Sequence, residues 1–387
     1  MQQVTCFASN GFEIITNIMF KRIVSPILDR LDSETWHNRA RELLHLSEIS
    51  PFTLKLLELF AYKGKRIFNE RLKVKIEDIE FDNPLVVGAG WDKVGRAVKA
   101  LYRLGFAGVE VGTVLQYPQP GNAKPRQFVL APGVALNRLG FNSPGMNIVA
   151  NNLKRYKNGS AVVGVSIGKN KNVPKKDAPK AHSAVIKKLY KYAAFFVINV
   201  SSPNTPGLRQ LQDKAPLAKI VKAINRAMDK VGKRKPLFVK IAPDLTNSAV
   251  DDVIEVVIEN KLTGIVATNT TNNSDIKAKY GEKWRNQMVG ISGNDKDFRQ
   301  MATDKIAYIY KKTRGRIKII GVGGVNDTKS ALEKIMSGAS LLQIVTGIRG
   351  EGTSLPGKIN QGILDYLDKK GIENVERIVG IRAKKLH

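Results

Sequence analysis

Residues 317–347 read IKIIGVGGVNDTKSALEKIMSGASLLQIVTG. An apolar run, Ile317–Val322, ends on Gly323 and Gly324. A stretch of helical length follows, and a second apolar run, Leu341–Val345, ends on Thr346 and Gly347. Neither run alternates apolar with polar residues, the mark of strands buried on both faces in a parallel sheet. The segment therefore reads as strand, helix, strand. Working outward, six further runs share this texture: Leu85–Val87, Val109–Val111, Val162–Ile167, Phe195–Val200, Leu237–Ile241 and Gly264–Thr268. Helix-length stretches separate most of them. Eight β–α units in this length predict an α/β fold of the (β/α)8 TIM-barrel type. A doubly wound open sheet competes, but it would place a GxGxxG turn after the first strand. Leu85–Val87 is followed instead by GAGWDK.

Upstream of residue 71 the texture changes. Phe12, Ile15, Met19, Ile23, Ile27 and Leu31 recur at steps of three or four, one stripe of an amphipathic helix. Pro26 should bend or break it. Ser33, Glu34 and Thr35 open a second helix that runs to about Leu46, and Pro51 opens a third with Phe52, Leu56, Leu59 and Phe60. The chain thus divides into an N-terminal helical extension, residues 1–70, and a barrel, residues 71–387. Lys21, Arg22, Lys63, Lys65 and Arg66 flank the apolar faces. That pattern suits either a helix lying on a membrane surface or a cap packed on the barrel.

Composition bounds the function. Of 387 residues, 43% are apolar and 25% charged, an ordinary globular balance that excludes disordered, collagen-like and disulfide-stapled classes. Cys6 is the sole cysteine, so this chain offers no internal disulfide, thiolate zinc site or iron–sulfur cluster. No uncharged apolar run is long enough for a spanning helix, and the first residues lack the pattern of a secretory signal. A cytoplasmic protein is expected, with a peripheral position on the inner face of the cell membrane open to it. The net charge of +29 falls almost wholly in residues 71–387. It speaks to solubility and to attraction for polyanions rather than to fold.

Barrel active sites lie where strands end. The strand ends here carry Ala89, Gly90 and Lys93; Thr113; Lys169 and Asn170; Asn199, Ser202, Asn204 and Thr205; Lys240; Thr268, Asn269 and Thr270; Gly323 and Gly324; and Thr346. The shared chemistry is amides, hydroxyls and lysines with little carboxylate. It suits a flat, heteroatom-rich ligand and an anion. His37, His45, His182 and His387 show no ligand spacing, so no metal is expected. The glycines after strands seven and eight lie where many barrels hold phosphate on backbone N–H groups.

The string NVSSPNTPGLR at Asn199–Arg209 resembles the signature of dihydroorotate dehydrogenases of the membrane-associated, quinone-using class. So do Gly121-Asn122 with Lys124-Pro125-Arg126, Asn137–Asn142 (NRLGFN), Ile167–Lys171 (IGKNK), Val239–Leu245 (VKIAPDL), Thr268–Thr271 (TNTT) and Ile320–Gly324 (IGVGG). The resemblance implies an FMN-binding barrel that oxidises dihydroorotate to orotate in pyrimidine synthesis. In that family a serine takes the proton of carbon 5 while hydride passes from carbon 6 to flavin N5. Ser202 matches the serine, with Thr205 and Phe141 shaping the proton's route. Lys93, Asn137, Arg138, Leu139, Gly140, Phe141, Asn199, Asn204, Asn269 and Thr270 match substrate contacts. Ala89, Gly90, Lys93, Thr113, Ser166, Asn199, Lys240, Thr268, Gly293, Gly323, Gly324, Val345 and Thr346 match flavin contacts.

Three residues depart from the family pattern. Ser166 replaces an asparagine, while Val345 and Val129 replace a tyrosine and an arginine of the quinone end; the family's N-terminal histidine is matched by His37. The acceptor-site candidates are therefore His37, Val129 and Val345, and the acceptor is a quinone or a soluble substitute. Lys169, Lys171, Lys175, Lys176, Lys180, Lys187, Lys188 and Lys191 crowd the stretch after the third strand. They read as a solvated face or as an attractor for a phosphorylated acceptor such as NAD(P)+. Rival functions are a tRNA dihydrouridine synthase-like flavoenzyme and a non-catalytic membrane-surface scaffold. The first would need a cysteine at the site, where Ser202 stands, so no specific nucleic-acid partner is expected; the second sits poorly with the retention of Ser202, Lys93 and Asn204.

Overall fold

The computed structural model describes residues 32–62 and 66–383. The stripe from Phe12 to Leu31, Pro26, Cys6, Lys21, Arg22, Lys63, Lys65 and His387 lie outside the described residues. All eight runs are strands of one closed barrel: β3 (Leu85–Val87), β4 (Gly108–Val114), β7 (Val162–Ile167), β8 (Phe195–Asn199), β9 (Leu237–Ile241), β10 (Gly264–Ala267), β12 (Lys318–Val322) and β13 (Leu341–Ile344). Each pairs in parallel with the next, and β13 closes on β3 with Ile344 opposite Val87. Val197 and Ile198 on β8 and Ile265 and Val266 on β10 are fully buried, as a strand covered on both faces requires. The helices between strands are amphipathic. Lys214–Asp229 turns Leu217, Ile220, Val221 and Ile224 onto the sheet, each side chain worth about 1.5–3 kcal/mol of burial.

Strand ends that meet across the barrel assemble the site. Asn199 ends β8 directly opposite Lys240 on β9. The floor is closed by an antiparallel hairpin, β1 (Val74–Ile76) with β2 (Ile79–Phe81), whose Phe81 packs on Phe195 at 6.2 Å between ring centroids. A second antiparallel sheet, in the order β11 (Gly290–Gly293), β6 (Val134–Asn137), β5 (Gln127–Ala131), has a small core of its own that includes Leu136, Trp284 and Ile291.

Two helices of the extension are described, α1 (Ser33–Ser47) and α2 (Pro51–Tyr62). Asp32 caps α1, accepting the Thr35 N–H at 2.8 Å. Only Leu44 of its apolar residues is buried. The seating is polar instead: Glu42 pairs with Arg96 at 3.1 Å, Glu58 with Arg103 at 2.8 Å, and Glu48 accepts from the Tyr156 hydroxyl at 2.6 Å and the Ala100 N–H at 2.9 Å. Leu43, Leu46, Ile49, Phe52, Leu56 and Leu59 face outward, Ile49 and Phe52 about three-quarters exposed at 76% and 75%.

Candidate active site at the barrel mouth

A cavity of about 550 Å3 opens at the carboxyl ends of the strands. It gathers Ala89, Gly90 and Lys93 after β3, Thr113 on β4, Asn199, Ser202 and Asn204 after β8, and Lys240 on β9. Thr268, Asn269 and Thr270 follow β10, Gly323 and Gly324 follow β12, and Val345 and Thr346 follow β13. The inserted sheet and the loop after it add Asn137, Leu139, Gly140, Phe141 and Gly293, and α1 adds His37.

At one end the amides order one another. Asn199 Nδ2 donates to Thr113 Oγ1 at 2.8 Å, and Asn269 Nδ2 donates to Ser201 Oγ at 2.9 Å and Asn199 Oδ1 at 3.2 Å. Asn204 Nδ2 donates to Asn137 Oδ1 at 2.8 Å, and the Asn204 N–H reaches Ser202 Oγ at 3.3 Å. These bonds fix which way each amide points. The buried atoms Asn204 Oδ1, Thr270 Oγ1 and Asn142 Oδ1 find no partner among the described residues. A buried polar atom left unbonded costs about 1–3 kcal/mol, so this wall is set to bond a ligand that brings both donors and acceptors.

Two ammonium groups face the same space. Burial pushes Lys93 down to about 8; the Glu34 carboxylate acts against that, while Arg41 and Arg126 add to it. Lys240 is also lowered by burial, with Glu110 opposing. Glu110, inside the barrel on β4, is raised by its own burial and accepts from the Gln343 amide. The mouth thus favours an anion, which would restore the charge on Lys93.

The other end is walled by α1. His37 Nε2 donates to the Trp91 carbonyl at 2.7 Å, its ring edge-on to Trp91 at 5.2 Å. Burial, helped by Lys93, drives its pKa down to about 3, so the imidazole is neutral with Nδ1 as its acceptor. Arg349, also on the cavity wall, donates to Ser33 on α1. Behind α1, Glu34 and Arg126 form a bidentate ion pair at 2.7 and 2.8 Å, both buried. Burial alone would raise Glu34; the Arg126 guanidinium more than offsets it and holds the carboxyl below its ordinary range.

Four expected residues lie off the cavity wall. The Arg138 side chain turns outward, its Nε and Nη2 donating to the Pro125 carbonyl and Nη1 to Gln287. Ser166 sits one layer deeper, 3.1 Å from Thr113 Oγ1. Thr205 is buried on the turn that carries Ser202. Val129 pairs with Ala135 on the inserted sheet. The lysine stretch stays clear of the cavity too. Lys169 is spent on the Val173 carbonyl at 2.8 Å and Lys175 on Gln210. Residues not singled out from sequence also line the cavity: Trp91, Asn142, Ser292 and Arg349.

The family described as "Dihydroorotate dehydrogenase" matches residues 71–367. Curated relatives include the dihydroorotate dehydrogenase (quinone) of Christiangramia forsetii, 39% identical over 90% of this chain and 99% of its own length. That of Chloroflexus aurantiacus is also 39% identical, over 90% of this chain and 97% of its own. Among solved structures, the Eimeria tenella dihydroorotate dehydrogenase in complex with ferulenol superposes with a TM-score of 0.76 at 32% identity. It covers 86% of this chain and 95% of its own.

Proposed function

The chain belongs to the dihydroorotate dehydrogenase family, and we propose that the barrel mouth is where it oxidises dihydroorotate to orotate and passes the electrons to a quinone. The observation that carries this reading is the pairing, in one cavity, of a buried serine hydroxyl with an amide wall and two lysines. The residues fit FMN. Gly90, at φ 103°, leaves open space where a Cβ would stand. Lys240 answers negative charge, and the glycines ending β12 let a phosphate approach the backbone. Held there, FMN would accept the hydride that leaves carbon 6 of the substrate.

The chain's own residues do the rest. Ser202 Oγ takes the proton of carbon 5; a serine is a poor base in water, and burial removes competing solvent from it. The Asn204 N–H, 3.3 Å from that oxygen, steadies it as negative charge develops. Thr205 and Phe141 bound the route by which the proton leaves. Asn137, Asn199, Asn204, Asn269 and Thr270 read the pyrimidine's carbonyls and N–H groups, and Lys93 answers its carboxylate. His37, Trp91, Val345 and Arg349 receive the quinone. No helix of the described residues is long and apolar enough to cross a membrane. The exposed face of Leu43, Ile49, Phe52 and Leu56 instead rests on lipid, from which quinones partition.

An acceptor screen tests this. Purified protein bleached by dihydroorotate without oxygen should recover its visible absorbance on adding a short-chain quinone and keep the bleached spectrum with NAD+ or NADP+. Recovery with a nicotinamide alone would overturn the acceptor. No bleaching of a flavin-loaded sample would overturn the reaction.

A further inference from the structure

The string Gly121-Asn122 with Arg126 touches neither end of the cavity in the account above, yet it is tied to both. Arg126 gives Nε and Nη2 to Glu34 on α1 and Nη1 to the Pro120 and Asn122 carbonyls at 2.6 and 2.8 Å. Its guanidinium thus grips the extension with one edge and the 120–122 turn with the other. Asn122 Nδ2 then donates to the Arg138 carbonyl at 2.9 Å and the Asn204 carbonyl at 3.2 Å, while the Asn122 N–H reaches the Leu139 carbonyl at 3.1 Å. Asn204 is held on its other sides by Ser202 and Asn137. The turn is too tight for a side chain at Gly121, φ 81°, where a Cβ would stand 2.4 Å from the Leu139 oxygen and 2.7 Å from Arg126 Nη1.

We infer that the Glu34–Arg126 ion pair is a positioning device: through Asn122 it sets the loop that carries Asn204, so that the seating of the extension on the barrel controls affinity for the pyrimidine. This rests on Asn204 being a pyrimidine contact, as proposed above. Two features favour it over a plain anchor. A buried ion pair gains little stability over an apolar pair of the same volume, and α1 already has Glu42, Glu48 and Ser33 to hold it. Arg126 also spends as many hydrogen bonds on the turn as on Glu34, and one guanidinium can do both only because its fork is rigid.

The test is a double-mutant cycle read as orotate affinity, by titrating the visible spectrum of the flavin-loaded protein. Glu34→Gln should weaken orotate binding about tenfold, and Asn122→Ala by a similar factor, and both should slow flavin reduction, because the Asn204 N–H that faces Ser202 Oγ moves with the loop. The double variant should bind orotate no worse than Asn122→Ala alone, because the second change cuts a linkage already cut. An unchanged affinity in Glu34→Gln overturns the inference. So do effects that multiply in the double variant, since Glu34 would then act separately, through the charge on Lys93. If Glu34→Gln does not fold, Glu34→Asp, which keeps the charge and shortens the reach, supplies the same arm. A parent protein that holds flavin but binds no orotate would sink the proposed function itself, a separate outcome.

Discussion

At the end of the cavity proposed for the pyrimidine, Thr113, Asn199, Ser201 and Asn269 hold one another by hydrogen bonds of 2.8–3.2 Å. At the acceptor end His37 makes one bond to the barrel, through the Trp91 carbonyl, and its neighbours there include Val345 and Trp91. The first end is made by the strands and the turns that follow them, and α1 touches it only at a remove, through Arg126 and Asn122. The second exists only when α1 docks. Within one cavity, the proposed substrate wall therefore rests on hydrogen bonds within the barrel, which α1 reaches only through Arg126 and Asn122, whereas the proposed acceptor wall depends directly on how a separate pair of helices sits.

The largest expected effect falls on the pyrimidine end alone. Ser202→Ala should slow flavin reduction by dihydroorotate by about 10^2–10^4-fold. Reoxidation of chemically reduced flavin by quinone should be unchanged, both read by stopped-flow absorbance; an equal loss in both would erase the distinction between the ends. Lys93→Ala comes next. Losing a charged hydrogen bond of about 1.5–3 kcal/mol should lower kcat/KM for dihydroorotate roughly 10–100-fold. The same lysine gives a pH signature. Its pKa lies lowered to about 8 before ligand binds, and a bound carboxylate raises it. Orotate affinity should therefore hold below pH 8 and fall as pH rises above it, by spectral titration; a flat profile would remove Lys93 from the anion site.

His37→Ala should raise the KM for quinone about five- to tenfold, through loss of the ring surface held edge-on to Trp91, and leave reduction by dihydroorotate alone. Because this imidazole is neutral throughout the physiological range, quinone turnover should show no histidine titration. Replacing Ile49 and Phe52 together by serine should change soluble-quinone turnover least, since exposed substitutions usually fall within about 0.5 kcal/mol. The variant should nevertheless lose co-flotation with lipid vesicles; retained flotation would place the lipid contact elsewhere.

The same contrast governs how much could be read from sequence. All eight barrel strands were legible, because burial on both faces leaves apolar runs such as Leu85–Val87. The inserted sheet was not. Phe128–Ala131 is an apolar run, but it is half-buried and leads through Pro132 and Gly133 into another short strand rather than a helix, and Gly290–Gly293 carries two glycines, so neither fits the strand–helix texture of the barrel. The amide wall was visible because Asn199, Ser202 and Asn204 sit within one turn after a strand. Trp91 and Arg349 were missed because their place on the cavity wall is decided by contacts with α1, across 54 and 316 residues of sequence. Arg138 failed for the opposite reason: it lies in a matched string, but a fixed backbone does not say which way a long side chain turns.

The most direct test of the account mixes the flavin-loaded protein with dihydroorotate in the absence of oxygen and follows the visible spectrum and orotate together. In the parent protein the flavin should bleach while orotate appears mole for mole, and Ser202→Ala, with its flavin still bound, should do neither at a comparable rate. Bleaching of Ser202→Ala as fast as the parent, with the same yield of orotate, would contradict it.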